Sequence, residues 1–241
     1  MAERSVLMLF FELKNSPFLL IFIMVGAFEL SVWLRQTLKQ PLINPTLITT
    51  VVVIAFLKLF GISWESFERA SGYLSFWLQP VVVCMAVPLY IQWQKIRAQW
   101  LPIIVSQFIG SVVGIITGVC LVQLLGGSED SVIAIAAKSV TMPIAIEVTK
   151  VLDGVVGISA AMVLIAGVVG QIMGVYVLHQ ARIRRAMAQG LSLGTASHAL
   201  GTVRAMQMSS HHMVYATVGL ILNGVLTAFI APVIVPWLIG L

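Results

Sequence analysis

Long apolar runs broken by short polar clusters set the pattern of this chain. Runs near 20 residues recur at 17–34, 42–60, 72–92, 101–125, 156–178 and 213–238. As a helix, each comes close to covering the roughly 30 Å of hydrocarbon in a bilayer. None alternates with period two, which argues against the strands of a membrane barrel. The last run is expected to bend or break near Pro232. Two segments, 131–150 and 187–207, depart from the pattern by being rich in small and polar residues. In the first, "AAKSVTMPIAIEV" (136–148) crowds a lysine, a serine, a threonine, a proline and a glutamate into an otherwise oily region. The pattern predicts an all-α, polytopic membrane protein with about six or seven transmembrane helices plus two re-entrant or broken helical hairpins.

Loop charge orients the runs. Arg35 with Lys39, Lys95 with Arg97, and Arg182 with Arg184 and Arg185 mark cytoplasmic loops, whereas 126–130 carries two acids and no base and belongs outside. The run 101–125 therefore leads outward and 156–178 must return inward. Segment 131–150 then has to enter and leave on one side. An internal repeat agrees with this. At an offset of 56, "SVVGIITGVCLVQ" (111–123) falls on "GVVGQIMGVYVLH" (167–179) with six identities in thirteen, and "KSVTMPIA" (138–145) falls without a gap on "GTASHALG" (194–201). A unit of one full span plus one re-entrant segment crosses an odd number of times, so its second copy is inverted, a construction characteristic of secondary transporters. The division expected is 1–98 as scaffold spans, 99–207 as an inverted-repeat core (99–150 and 155–207), and 208–241 as the C-terminal span. The glycines Gly110, Gly114 and Gly118, and Gly167, Gly170 and Gly174, line helix faces where a neighbour can approach closely.

The polar clusters carry the candidate chemistry. Pro143 lacks an N–H and disfavours helix at Met142, which leaves backbone between Lys138 and Pro143 outside any helix. Such backbone is tolerated at membrane depth only in protein or beside water. Free N–H groups of a following helical arm, the charge of Lys138 and the hydroxyls of Ser139 and Thr141 together describe a site for a small carboxylate. In the second cluster Thr195, Ser197 and Thr202 offer hydroxyls, Gly201 loosens the backbone, and His198 titrates near physiological pH. His198 and Glu147 are the candidates for proton coupling, and Asn44, before Pro45, is a further candidate for a central site. Each has a structural alternative: Lys138 snorkelling to an interface, Glu147 paired with Lys150 or Lys138, His198 as a satisfied interior histidine.

Composition narrows the classes further. Of 241 residues, 59% are hydrophobic and 10% charged, far below the roughly 25% charge of soluble domains. The net charge of +5 sits at span ends as an orientation signal, so nucleic acid is not an expected partner. Cys84 and Cys120 have no metal or redox spacing, and neither metal nor cofactor is expected. No nucleophile elbow, zinc-protease or phosphate-loop motif occurs, so the chain is not expected to be an enzyme.

"NPTLI" (44–48), "MAVPLY" (85–90), "KSVTMPIA" (138–145) and "GTASHALGTVRA" (194–205) resemble the LrgB/CidB family of bacterial membrane proteins, in order, from about residue 10 to the C-terminus. The resemblance implies a multi-pass protein of the bacterial inner membrane and a short monocarboxylate or hydroxycarboxylate substrate of the glycolate, glycerate, lactate or pyruvate class, since related plastid proteins exchange glycolate and glycerate. It carries over Lys138, Ser139, Thr141, Pro143, Thr195, Ser197, His198, Gly201 and Thr202 as site residues. It also implies the alternative that gave the family its name, holin/antiholin-like control of murein hydrolase export and autolysis with a small LrgA/CidA-type membrane partner. Proton coupling or exchange, an elevator-like movement of the core and a homodimer complete the expectation.

Overall fold

The computed structural model of the protein describes residues 15–38, 44–77, 80, 83, 84, 86–91 and 93–240. Two compact units divide the chain, Met1–Ala86 and Val87–Leu241. All regular structure among the described residues is helical.

In the first unit α1 (Pro17–Leu38) packs against α2 (Pro45–Leu59) and α3 (Trp64–Phe76). Leu20, Ile62 and Ala70 form its small core. Within the apolar layer the Thr49 hydroxyl lies 3.2 Å from that of Ser31, a polar link between α1 and α2. Pro45 occupies the first turn of α2, where a missing N–H costs nothing. Ser63 caps α3 by accepting from the Ser66 N–H at 3.3 Å, and α3 ends at Phe76, inside the expected span 72–92. Residues 78, 79, 81, 82, 85 and 92 of that span lie outside the described residues. Helices α4 (Ala86–Ile91) and α5 (Trp93–Ala98) follow.

The second unit is built on three long helices: α6 (Trp100–Leu124), α9 (Val156–Gln180) and α11 (Ser210–Ile239). With α1 they are, among the described residues, the four helices long and apolar enough to cross a membrane; α2, at 15 residues, is shorter. The chain is a multi-pass α-helical membrane protein. The break expected near Pro232 does not occur, because α11 runs unbroken through Pro232 and Pro236. Neighbouring helices make interior prolines tolerable in membranes, and here Ala231 and Val235 are packed solidly into a core with Val132, Ala136 and Val148.

Between the long helices the chain twice turns back. Helices α7 (Glu129–Ala136) and α8 (Met142–Val151) have 8 and 10 residues, about 12 and 15 Å, each roughly half of a bilayer core. Gly154, just past α8, abuts Ile133 in the middle of α7, so the pair forms a hairpin. Helix α10 (Ala186–Met208) is broken at Ser197 and His198, with His198 at φ +42°. Gly201 lies against the Leu193 carbonyl, whereas eight residues of continuous helix would hold them about 12 Å apart. The chain therefore reverses at His198 into two arms, 186–196 and 199–208. Contacts also give direction. Gln99 meets Tyr215, Ser111 meets Asn223 and Gln123 meets Leu238, so α6 and α11 run the same way. The first arm of α10 runs with α11, as Gly190 beside His212 and Thr195 beside Gly219 show. That arm is antiparallel to α9, because Leu193 meets Gly174 and Ser197 meets Gly170. Hence α9 opposes α6. The excursion 129–151 returns without crossing, as the loop charges require.

Candidate functional site

The two folded-back segments meet at Asn223 on α11. Its Nδ2 donates to the Ser139 carbonyl at the first turn-back (3.0 Å) and to the Thr195 carbonyl at the second (3.2 Å). Its Oδ1 accepts from Ser111 Oγ at 2.7 Å and from Thr227 Oγ1 at 3.4 Å. Both carbonyls belong to backbone where helical pairing ends, so one side-chain amide supplies the donors that the breaks leave wanting. Asn223 is 1% exposed. An amide this deep must have every partner matched, and here all four positions are filled.

Beside this junction lies a cavity of about 610 Å³ lined by α6, both turn-backs and α11. Lys138, Ser139 and Thr195 line it, together with Gln107, Ser111, Ser192, Asn223 and Thr227. The Lys138 ammonium donates to the Gly114 carbonyl at 2.8 Å. Among the described residues it has no acidic partner; the ion pair found there is Lys150 with Glu147. Gly118 makes room for this ammonium, since a Cβ there would stand 2.9 Å from Nζ. The α6 glycines thus do more than let helices approach: one accepts from the lysine and the next clears its space. Thr195 is held by Gln107 Oε1 (2.6 Å) and the Leu191 carbonyl (2.7 Å). The hydroxyls of Ser139 and Ser192 have no protein partner among the described residues and face the cavity. An ammonium without an acidic partner, beside hydroxyls without a protein partner among the described residues, suits a small anion, for which charge-assisted hydrogen bonds are strongest.

The remaining expected site residues lie elsewhere. Ser197 sits where a Cβ on Gly170 would overlap it, and the His198 ring turns to α9, its Nε2 3.0 Å from the Val163 carbonyl. Gly167 accommodates that ring. Thr202 donates to the His198 carbonyl at 3.1 Å, and Gly201 permits the tight return past Leu193. These four shape the second hairpin and seat it on α9. Thr141 and Pro143 start α8, Pro143 in the first turn. Glu147 is exposed and pairs with Lys150 at 2.8 Å, the structural alternative for it. Asn44 belongs to the first unit, where its Oδ1 caps α2 by accepting from Thr46 and Leu47 N–H groups. Among the described residues no cluster of metal-ligating side chains occurs.

Sequence reading passed over Gln107, Ser111, Asn223 and Thr227, which are all buried. Their signal was present. Gln107 and Ser111 are four apart on one face of α6, Asn223 and Thr227 four apart on one face of α11, each pair inside an apolar span.

A model described as the LrgB-like family matches residues 24–237. The Bacillus subtilis uncharacterized protein YxaC is 34% identical over 220 residues, 91% of this chain and 95% of that one. A Haemophilus influenzae protein is 32% identical over 215 residues, 89% and 93% of the two chains. The holin-like protein CidB of Staphylococcus epidermidis is 28% identical over 217 residues, 90% and 95%. No solved structure matches the chain.

Proposed function

The chain belongs to the LrgB-like family, and from that premise and the cavity we propose that it is a secondary transporter of small monocarboxylates or hydroxycarboxylates. The observation that carries the reading is the Lys138 ammonium, without an acidic partner among the described residues, in a cavity built from two turn-backs. Charge at membrane depth is costly and marks a substrate path by default. A carboxylate of the glycolate, glycerate, lactate or pyruvate class would take the ammonium from Gly114 and accept from Ser139 and Ser192. Apart from those donors, the α-hydroxyl of glycolate, glycerate or lactate would find the Thr195–Gln107 pair in the same cavity.

The repeat supports alternating access. Shifted by 56, α6 (Trp100–Leu124) falls on the bounds of α9 (Val156–Gln180), and the start of α8 at Met142 falls on His198, where α10 breaks. The matched spans run in opposite directions, as an inverted repeat demands. The cavity reaches Pro102, Met187 and Ala188, at the end of the unit that carries Arg182, Arg184 and Arg185. By the distribution of basic residues that end is cytoplasmic, so the cavity opens inward in a bacterial inner membrane. Because Asn223 ties both turn-backs to α11, we include α11 in the moving core. His198, buried against α9, is the residue through which protonation would act on the hairpin instead of on the substrate.

The second reading is a holin-like regulator with no cargo of its own, working with a small LrgA/CidA-type membrane partner; it is favoured by the name of the Staphylococcus relatives, holin-like protein CidB. Proteoliposome uptake separates the two. Wild type should take up at least one of the four acids saturably, and Lys138→Met should lose that uptake at least tenfold while retaining its thermal midpoint. Wild-type protein without saturable uptake of any of them favours the regulator.

A further inference from the structure

A second recess on the same unit has a different character. About 500 Å³ in volume, it lies between α5, the start of α6 and the middle of α11. Of its nine described lining residues eight are hydrophobic and one, Arg97, is charged. Arg97 has no hydrogen-bond or ion-pair partner among the described residues. Trp93 and Trp100 flank it, both 56% exposed. Further along, Ile104 on α6 and Ile221 and Leu222 on α11 continue the wall. Since α6 and α11 run in the same direction, the recess is ordered from charged mouth to apolar depth along the membrane normal.

We propose that this recess seats one anionic phospholipid of the cytoplasmic leaflet, its phosphodiester on Arg97 and one acyl chain between α6 and α11. Arginine grips phosphate through a planar fork of donors. Tryptophans prefer the headgroup level, where one end of the ring is wet and the other apolar. The mouth lies on the cytoplasmic side by loop charge, the side whose leaflet is anionic. A free guanidinium above an apolar trough matches a molecule that is anionic at one end and hydrocarbon at the other. The seat also touches function. Val218 lines the same recess, and Asn223 lies little more than one helical turn further along α11. A lipid held here would brace the helix that joins both turn-backs. The site itself stands whatever the cavity carries.

Native mass spectrometry of the full chain, released from detergent containing equal phosphatidylglycerol and phosphatidylcholine, tests the assignment. Wild type should retain one phosphatidylglycerol with at least several-fold preference. Arg97→Gln should abolish the preference, Arg97→Lys should keep most of it, and Ile104→Trp, which fills the trough, should release lipid of either headgroup. Equal retention of both lipids by wild type, or unchanged selectivity in Arg97→Gln, overturns the proposal. So does a dimer that Ile104→Trp dissociates without loss of bound lipid, which would make a second copy of the chain the occupant. Circular dichroism melting of each variant keeps loss of lipid distinct from loss of fold.

Discussion

Asn223 shows how much one side chain decides. Two carbonyls at chain reversals, Ser139 and Thr195, lean on the same Nδ2. Leaving a buried carbonyl unpaired costs on the order of 1–3 kcal/mol. Asn223→Asp preserves shape but replaces that donor by an acceptor facing two acceptors. It should therefore lose uptake as completely as Asn223→Ala, with a thermal midpoint lower by several degrees; uptake and melting together check this, and wild-type behaviour of the aspartate would show the amide to be dispensable. Residue identity also explains why the second cluster divides. Thr195 faces the cavity, while Ser197 and His198, two and three positions on, face α9. Two helical positions apart, Thr195 and Ser197 point to nearly opposite sides of the first arm, and the positive φ at His198 then turns the chain back. For a non-glycine residue that conformation is uncommon and strained, and it is held here by the ring's bond to Val163.

Among the helices, glycine spacing reads as three different devices. Gly194 lies so close to the Ala216 backbone that a Cβ would overlap its carbonyl, and neither backbone can withdraw without moving a helix. Gly110 instead would place its Cβ 3.4 Å from a Thr195 methyl, an ordinary contact. Gly194→Ala is accordingly expected to destabilise by about 1–3 kcal/mol or more, whereas Gly110→Ala should stay within about 0.5 kcal/mol. Melting in detergent distinguishes the two, and equal midpoints would mean that α10 and α11 are not in this contact. The sequence spacing showed that small residues lined a face. It did not show which glycine met backbone, which met a methyl, and which sheltered an ammonium.

For the molecule as a whole the consequence is topological. With α9 antiparallel to α6, the turn at Gly127 and the first turn of α10 at Ala188 lie at opposite ends of the long helices. Single cysteines at these positions, in a background with Cys84 and Cys120 replaced by serine, should label with an impermeant maleimide from opposite faces; labelling from one face would refute the re-entrant geometry. In the structure α11 lies in the compact unit of the two hairpins and bonds to both. An apolar helix does not announce its neighbours, because hydrocarbon-facing and helix-facing leucines read alike in a membrane.

Hydrophobic run length, loop charge and the repeat at 56 residues give the long helices and the two turn-backs without coordinates, together with an expected orientation. Each follows from a local or additive property: the reach of a helix, the sign of a loop, the cost of leaving backbone groups unpaired in hydrocarbon. Tertiary structure alone decides which polar side chains share a cavity. Lys138 and Thr195 meet there, Glu147 and His198 do not, and Gln107, Ser111, Asn223 and Thr227 join from spans that looked merely apolar. The reason is geometric. Where a side chain points depends on the rotation of each helix and on the dihedral angles at its break, and neither is encoded in composition or period.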